Sequence, residues 1–276
     1  MGDKLWRQKN VSTWRKIAIA AWDKPNDPTV YGTLAVDAGA ALAYIQGVRA
    51  RTGVKVTVTH LVGRALALAL RDTPDINGRI VGRRLYQRPT VDIGFHVVID
   101  DGHELSLAKV DRADEKDVHE IAGELSAKAE KIRARRDEQF EQSKSVTERL
   151  PGFLLRPVLR FFSYLANDRG MDIKFLNVRA DPFGSAMVTS VGMLGIDIGY
   201  APIFPLANTP ILVLVGEVQD KPVARDGQVV IRPMLNLSVT FDHRFIDGYH
   251  AGRMSRSVRE YFEAPERHEV HKLLAP

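Results

Sequence analysis

Two residues that could do acid–base chemistry, His243 and Asp247, lie four positions apart in the stretch FDHRFIDGYHAGRM, residues Phe241–Met254. Histidine is the side chain that most readily gains or loses a proton near neutral pH, and a neighbouring carboxylate can orient groups or pair with a cation. The same spacing has a plain alternative, in which a turn histidine precedes an aspartate that caps a helix. The spacing alone leaves both interpretations open.

The flanking sequence indicates how this pair is positioned. Met234–Phe241 alternates apolar and polar residues, which is the period of a half-buried strand. After Gly248 the apolar residues recur at helical spacing. His243 and Asp247 are therefore predicted to lie in a turn between a strand and a helix, where a rigid scaffold can hold a reactive side chain.

Strand and helix patterns are interleaved along the rest of the chain, which predicts an α/β or α+β domain built on a large sheet. A DG turn is expected at Asp226–Gly227, and another turn at Asp100–Gly102. The other expected strands are Val30–Val36, two within Arg83–Ile99, Glu104–Val110, Met187–Gly192, Ile211–Val218 and Val229–Phe241. The expected helices are one from Ser12 or Thr13 to about Trp22, Ala40–Arg51, Thr59–Arg71 with Thr59 as a possible cap, and Asp114–Arg136.

One segment, Leu150–Asn167, is unusually apolar but carries Pro151, Pro157 and two arginines. It has too many apolar groups for a solvated loop, so we expect it to pack on this subunit or a neighbour. Pro157 predicts two short helical pieces rather than one rod. The length, the prolines and the arginines argue against a bilayer span, and lying on an anionic membrane is the minor alternative.

The composition bounds the function. The 276 residues are 45% hydrophobic and 26% charged with a net charge of +5, which predicts one globular domain over residues 1–276. The absence of cysteine excludes disulfides, thiolate catalysis and cysteine–metal sites, and favours a reducing compartment. No histidine pair has a metal-site spacing, and no phosphate loop accompanies the glycines of Val191–Gly195. We expect a cytoplasmic protein without a metal, without a nucleic-acid partner and without membrane contact.

Several stretches together resemble the catalytic domain of the dihydrolipoamide acyltransferases of 2-oxo acid dehydrogenase complexes, and its relative chloramphenicol acetyltransferase. Asp242–Gly248 matches the DHRxxDG form of the dihydrolipoamide enzymes. The other matching stretches are Trp14–Lys16 (WRK), Pro74–Asn77 (PDIN), Val91–Val98, Met187–Gly195 (MVTSVGMLG) and Gly248–Met254, the last being more like the chloramphenicol enzyme. The resemblance runs from about Thr13 to Pro265. It departs in two respects: no lipoyl or subunit-binding domain precedes the chain, and residues 141–183 resemble an extra apolar helical insertion.

The resemblance implies a chloramphenicol acetyltransferase-like two-layer fold, with a large mixed sheet covered by helices, that assembles as a trimer. It also implies a CoA-dependent acyltransferase in which His243 is the general base that takes the proton of an acceptor thiol. A thiol of pKa ~8.5 is mostly protonated at neutral pH and an imidazole of pKa ~6.5 is mostly free base, so the roles are chemically sensible. The acceptor would be a thiol of the dihydrolipoamide type, and the lipoyl group would come from another chain.

The resemblance assigns two further roles. Asp247 would form a structural ion pair with Arg15, the arginine of WRK. Thr189 would donate a hydrogen bond to the oxyanion where the family has a serine, although its extra methyl group restricts the rotamer; a slip of one residue would make Ser190 the donor.

The family builds each active site between two subunits of the trimer and can join trimers into a larger cage. Two alternatives remain: a free-standing O-acetyltransferase for a small molecule, and an inactive trimeric scaffold. Nothing in the sequence identifies the acyl group or the acceptor. The insertion is expected to cover part of the acceptor entrance.

Overall fold

The computed structural model describes residues 27–81, 84–99, 104–133, 152–169, 171, 181–204 and 207–270. The strands are β1 (Thr29–Asp37), β2 (Gly78–Val81), β3 (Arg84–Gln87), β4 (Ile93–Ile99), β5 (Glu104–Val110), β6 (Ala186–Ser190), β7 (Ile211–Arg225) and β8 (Gln228–Asp242). The α-helices are α1 (Gly39–Thr52), α2 (Val58–Asp72), α3 (Val118–Arg133), α4 (Gly152–Ser163) and α5 (Gly248–Glu263).

Six strands form one sheet in the order β1-β8-β7-β6-β4-β5, and β2 and β3 form a separate two-stranded ladder. Strand β6 is parallel to both of its neighbours, β4 and β7, whereas the other adjacent strands are antiparallel. The large mixed sheet that the resemblance implied is therefore confirmed. A parallel pair needs a long crossover, and the chain between β5 and β6 contains α3 and α4.

One face of the sheet, called here the helix face, is buried under α1, α2, α3 and α5. Every second residue of the strands points to this face and joins one apolar cluster with the helices. Helix α2 lies at its centre, since all its residues from His60 to Leu70 are buried. Burial of this cluster is the main stabilising contribution to the fold.

The opposite face of the sheet, called here the loop face, carries polar residues of β8 and is covered by a loop of residues 191–204. Gly216 of β7 permits the close approach, since a Cβ there would overlap the Asp197 carbonyl. Side-chain hydrogen bonds help to fasten the loop to the sheet, among them Asn236 Nδ2 to Asp197 Oδ1 (2.9 Å), Thr240 Oγ1 to the Ala201 carbonyl (2.8 Å), and one between Thr33 Oγ1 and Tyr200 Oη (2.5 Å).

Most of the predicted elements are confirmed, but several boundaries differ. Thr57 rather than Thr59 precedes α2, and its N–H donates to Nδ1 of His60 (3.1 Å). Helix α3 begins at Val118 rather than Asp114, because Ala113–Glu115 forms a separate 3₁₀ turn. Strand β7 continues seven residues beyond Val218 to the turn at Asp226 and Gly227, which both have positive φ.

The expected break at Pro157 is wrong. Helix α4 runs through Pro157 to Ser163, and the irregularity comes afterwards as a π-helical turn at Tyr164–Asp168. A proline in a helix removes one backbone hydrogen bond but does not end the helix when the flanking residues keep theirs. The helix expected after Ser12 or Thr13 and the turn expected at Asp100–Gly102 lie outside the described residues.

Candidate active site

The turn that carries His243 is anchored to both neighbours of β8. The N–H of His243 donates to the Pro28 carbonyl (2.8 Å) before β1, and the N–H of Asp242 donates to the Pro210 carbonyl (2.9 Å) before β7. The Asp242 carboxylate is held by Arg244, whose Nε lies 2.9 Å from Oδ1. The His243 side chain remains exposed. A rigid backbone thus presents an accessible imidazole, as a general base requires.

Asp247 caps helix α5. Its Oδ1 accepts from the N–H groups of Tyr249 (2.9 Å) and His250 (3.1 Å), and it lies 2.8 Å from Nδ1 of His250. The hydrogen bond from the His250 N–H is the main cause that lowers the pKa of Asp247. The helix-capping interpretation of Asp247 therefore describes the structure. Arg15, its expected ionic partner, lies outside the described residues, so that pair stays a prediction.

Two contacts connect the start of α5 to the turn after α2. Nε2 of His250 lies 2.9 Å from Asp75 Oδ2, and Nη2 of Arg253 donates to the Asp72 carbonyl (2.7 Å). His250 thus links the Asp247 cap to the turn after α2, a contact that the sequence did not predict. Its position three residues after Asp247 is the capping-box spacing and could have revealed it.

Thr189 and Ser190 point to opposite faces of the sheet. Val188 belongs to the helix-face core, so the next residue, Thr189, points to the loop face, as Met187 does. Ser190 points to the helix face, where it lines a cavity of about 340 Å³ with Gln46, Arg49 and Glu217. The two candidate oxyanion donors therefore lie on opposite faces of the sheet. Moving the donor role from Thr189 to Ser190 would move it from the loop face to the helix face.

Neither hydroxyl lies near His243 of the same chain. Thr189 pairs with Leu214 of β7, and Leu214 pairs with Ser238 of β8, five residues before His243. Five residues along a strand and two strand spacings across the sheet correspond to roughly 19 Å. Within one copy of the chain, the distance from the histidine to either hydroxyl is therefore far longer than a hydrogen bond.

The described residues contain no group of three histidine or acidic side chains placed to hold a metal ion. Among the helices that the structure describes, none is long and apolar enough to cross a membrane. The cavity beside Ser190 is open at the edge of the sheet and is lined by residues of helix α1 and strand β7. Arg49 is the basic residue of its lining, and the Arg49 Nε is already bonded to the Val56 carbonyl (2.7 Å).

The sequence matches the family model for the 2-oxoacid dehydrogenases acyltransferase catalytic domain over residues 7–146 and 183–270. These ranges hold most of the chain. The chain belongs to this family. The match does not include residues 147–182, which lie within the segment interpreted as an insertion.

Among its relatives, this acyltransferase-family chain is 27% identical to the dihydrolipoyllysine-residue acetyltransferase component of the acetoin cleaving system of Bacillus subtilis, over 78% of this chain and 43% of that protein. The chain spans about two fifths of the length of the curated relatives it matches.

Two solved structures share the fold with a TM-score of 0.64, and each match covers 88% of this chain and 84% of the other. One is the cubic core of a pyruvate dehydrogenase multienzyme complex, at 24% identity. The other is the Azotobacter vinelandii dihydrolipoamide acetyltransferase, at 23% identity, which was solved to investigate the role of a serine, a histidine and an asparagine in its catalytic mechanism.

Proposed function

We propose that this chain is an acyltransferase that moves an acyl group between CoA and a thiol acceptor of the dihydrolipoamide type. The observation that carries the proposal is the exposed His243 on a turn fixed to Pro28 and Pro210, in a chain of the 2-oxoacid dehydrogenase acyltransferase family. A reducing compartment such as the cytoplasm suits a cysteine-free chain.

The chemistry needs no covalent enzyme intermediate. The imidazole of His243 takes the proton of the acceptor thiol, and the thiolate sulfur attacks the carbonyl carbon of the acyl thioester. The carbonyl oxygen becomes an oxyanion, which a protein hydroxyl stabilises. Collapse of this intermediate breaks the bond from carbon to the CoA sulfur, and the imidazolium returns its proton to the departing CoA thiolate.

The distance between His243 and the hydroxyls supports an active site shared by two copies of the chain. The covering loop exposes apolar side chains on the loop face, with Met193 84% and Leu194 70% exposed. Exposed apolar groups of this size favour burial against another protein surface. We therefore infer a closed trimer, or a cage of trimers like the cubic core of the similar structure, in which His243 of one copy meets the hydroxyl of the next. A lipoyl domain on another chain would bring the acceptor.

This arrangement favours Thr189 over Ser190 as the oxyanion donor. Thr189 points to the loop face, where the exposed apolar groups of the covering loop would receive a second copy. Ser190 points instead into the cavity between the sheet and helix α1, which suits the arm of a CoA molecule. Asp247 keeps the turn in place as the cap of α5, and the pair with Arg15 stays a separate prediction that removal of the charge at Asp247 tests.

The insertion at about 141–183 would line the acceptor route. Its last described part is fixed to the body of the protein, since Arg88 forms an ion pair with Asp181 (2.5 Å). Phe183 then packs by Phe204 and with Met187 of the loop-face cluster. The segment thus ends beside the space that Thr189 faces, and replacing residues 143–180 by a Gly/Ser linker should widen acceptor use without loss of CoA binding.

The decisive measurement is acyl transfer from acetyl-CoA to free dihydrolipoamide. We expect His243→Ala to lower kcat by at least about 100-fold with an unchanged melting temperature, because a general base contributes ~10²–10⁴-fold. His268→Ala, which removes an exposed histidine five residues after the end of α5, is the matched control and should keep full activity. Equal rates for wild type and His243→Ala would remove His243 from the mechanism. Transfer to small alcohols but not to the thiol would favour the alternative of a small-molecule O-acetyltransferase. No transfer to either acceptor would favour the alternative of an inactive scaffold.

Mixing two inactive variants tests the shared site. Co-expression of His243→Ala chains with Thr189→Val chains should restore about a quarter of the wild-type sites, since random trimers then pair an intact histidine with an intact hydroxyl at that frequency. Each variant alone stays inactive. No recovery in correctly assembled mixed trimers would place both groups in one copy, against the shared site.

A further inference from the structure

A line of side chains crosses the loop face of the sheet at the level of Thr189. Phe95 of β4 pairs with Val188 of β6, and both point into the helix-face core. The residues that follow them, His96 and Thr189, therefore lie side by side and point to the loop face. The paired residues on the neighbouring strands extend this line. From β5 to β1 it consists of Leu107, His96, Thr189, Leu214, Ser238 and Thr33.

The covering loop lies over the part of this line on β7 and β1, whereas His96 and Thr189 are only half-buried. The covering loop lies over Leu214 through Gly199 and over Thr33 through the Tyr200 hydroxyl. The paired positions of β4 and β6 stop at Phe95 and Val188, so His96 and Thr189 are the first residues beyond that ladder. Neighbouring strands are ~4.8 Å apart, so a small group that approaches from the loop face can reach both side chains at once.

The side chains of His96 and Thr189 keep free hydrogen-bonding capacity. Within the part of the chain that the structure describes, no hydrogen bond or ion pair involves the His96 ring or the Thr189 hydroxyl. His96 is half-buried beside apolar neighbours such as Leu107, and this burial lowers its pKa. The imidazole is consequently neutral at physiological pH and carries one N–H that can donate.

We propose that His96 is a second oxyanion donor, which binds the carbonyl oxygen of the acyl thioester together with the Thr189 hydroxyl. This inference rests on the proposed acyltransferase function. An atom held on the loop face between the two side chains can lie ~3 Å from both donors, which is the geometry that stabilises a tetrahedral oxyanion. A neutral imidazole can fill this role because it donates without bringing a positive charge that would compete for the thiolate.

The second donor also suits the unusual threonine. The methyl group of Thr189 restricts its rotamers, so a threonine is a less adaptable donor than a serine. A fixed N–H on the neighbouring strand supplies stabilisation that does not depend on the orientation of the Thr189 hydroxyl. The proton of the acceptor still goes to His243 of the other copy, and His96 neither gains nor loses a proton in the step.

The test compares His96→Leu with His96→Gln, whose amide N–H can replace the imidazole N–H, in the assay of acetyl-CoA with dihydrolipoamide. We expect His96→Leu to lower kcat by about 100-fold, in the range of a lost oxyanion donor, with KM for both substrates within about twofold. His96→Gln should recover about tenfold or more of that loss. His119→Leu removes another partly buried histidine, on α3, and should leave kcat unchanged.

Two outcomes would overturn the proposal: a kcat for His96→Leu close to that of the wild type, or an equally slow His96→Gln variant in folded, assembled protein. The second would indicate a packing role. If His96→Leu fails to fold, His96→Phe takes its place, since it keeps a ring of similar size. His243→Ala is measured in parallel. Transfer that depends on His243 but not on His96 refutes this inference alone, whereas no transfer by the wild type refutes the proposed function.

Discussion

The helix face and the loop face of the sheet differ in how much apolar surface they bury and in the polar groups that they carry. On the helix face, apolar side chains of six strands and four helices form one closed cluster. On the loop face, the buried apolar cluster is small, consisting of Met187, Ala207 and Leu212, and polar residues of β8 lie under a single loop. The Ser238 hydroxyl there is buried without a hydrogen-bond partner among the described residues.

The difference assigns stability mainly to the helix face and the candidate chemistry to the loop face. The helix face contributes most of the apolar burial, so it specifies the fold of one subunit. The loop face leaves polar groups such as His96 and Thr189 without partners and exposes the apolar groups of the covering loop, which a second copy could bury. A face that is incomplete in one subunit is where an assembled active site can form.

The largest expected effect compares one residue type on both faces. Phe95 is 1% exposed on the helix face and Phe204 is 47% exposed on the covering loop. We expect Phe95→Ala to lower the free energy of unfolding by about 3–5 kcal/mol, since it removes a ring and leaves a cavity. Phe204→Ala should cost less than about 1 kcal/mol, as surface substitutions do. Urea unfolding of both variants measures this, and similar losses would contradict the division of roles.

The next effect is a pH dependence on the helix face. Burial, and then the charge of Arg49, lower the pKa of His60 to about 4. The unfolded chain binds a proton at His60 near pH ~6.5 but the folded chain only near 4, so stability falls as the pH drops through this window. The wild type should lose up to about 3 kcal/mol relative to His60→Gln between pH 6.5 and 4.

Urea unfolding of wild type and His60→Gln at several pH values measures this difference. Acidic groups such as Asp37, whose pKa is also lowered, contribute equally to both proteins and cancel. Parallel pH curves for the two proteins would show that His60 is not the source.

A smaller effect, on assembly rather than folding, tests the loop face. Met193→Ser combined with Leu194→Ser should shift the mass measured by light scattering toward one chain, because these exposed apolar groups would be buried between copies. The unfolding free energy of the separated subunit should not change. Val229→Ser, at an equally exposed apolar residue near the tip of the β7–β8 hairpin, is the control. Loss of assembly in the control but not in the double variant would place the interface at the hairpin.

The sequence predicts best what depends on neighbours along the chain. The turn of His243 is such a case, since an alternating strand ends at Asp242 and a helical period begins after Gly248. The DG turn at Asp226 and Gly227 is another, because both residues tolerate positive φ.

What the sequence does not predict depends on distant partners. Whether Thr189 or Ser190 faces the loop face follows from which face the helices cover, and that requires the whole sheet. His96 is separated from Thr189 by 93 positions, and only the β4–β6 register brings them together. From its neighbours along the chain alone, Pro157 is expected to interrupt a helix, although helix α4 continues through it.

The smallest expected effect is at Asp247, the N-cap residue of α5, which joins the end of β8 to the helix face. A carboxylate that only caps α5 can be replaced by asparagine, which is an equally good cap, so Asp247→Asn should lower kcat by less than about threefold. Asp247→Ala loses the acceptor for the N–H groups of Tyr249 and His250 and should shift the His243 turn, with a loss of about tenfold.

If instead the carboxylate must neutralise a buried cation, as in the predicted pair with Arg15, then asparagine should be nearly as poor as alanine. Asp226→Asn, at an exposed turn far from α5, controls for the loss of one negative charge. Steady-state rates and melting temperatures of these variants decide between the two roles. Retained activity in Asp247→Asn would assign Asp247 to the cap, because charge is the property that this substitution removes while it keeps the hydrogen-bond acceptor.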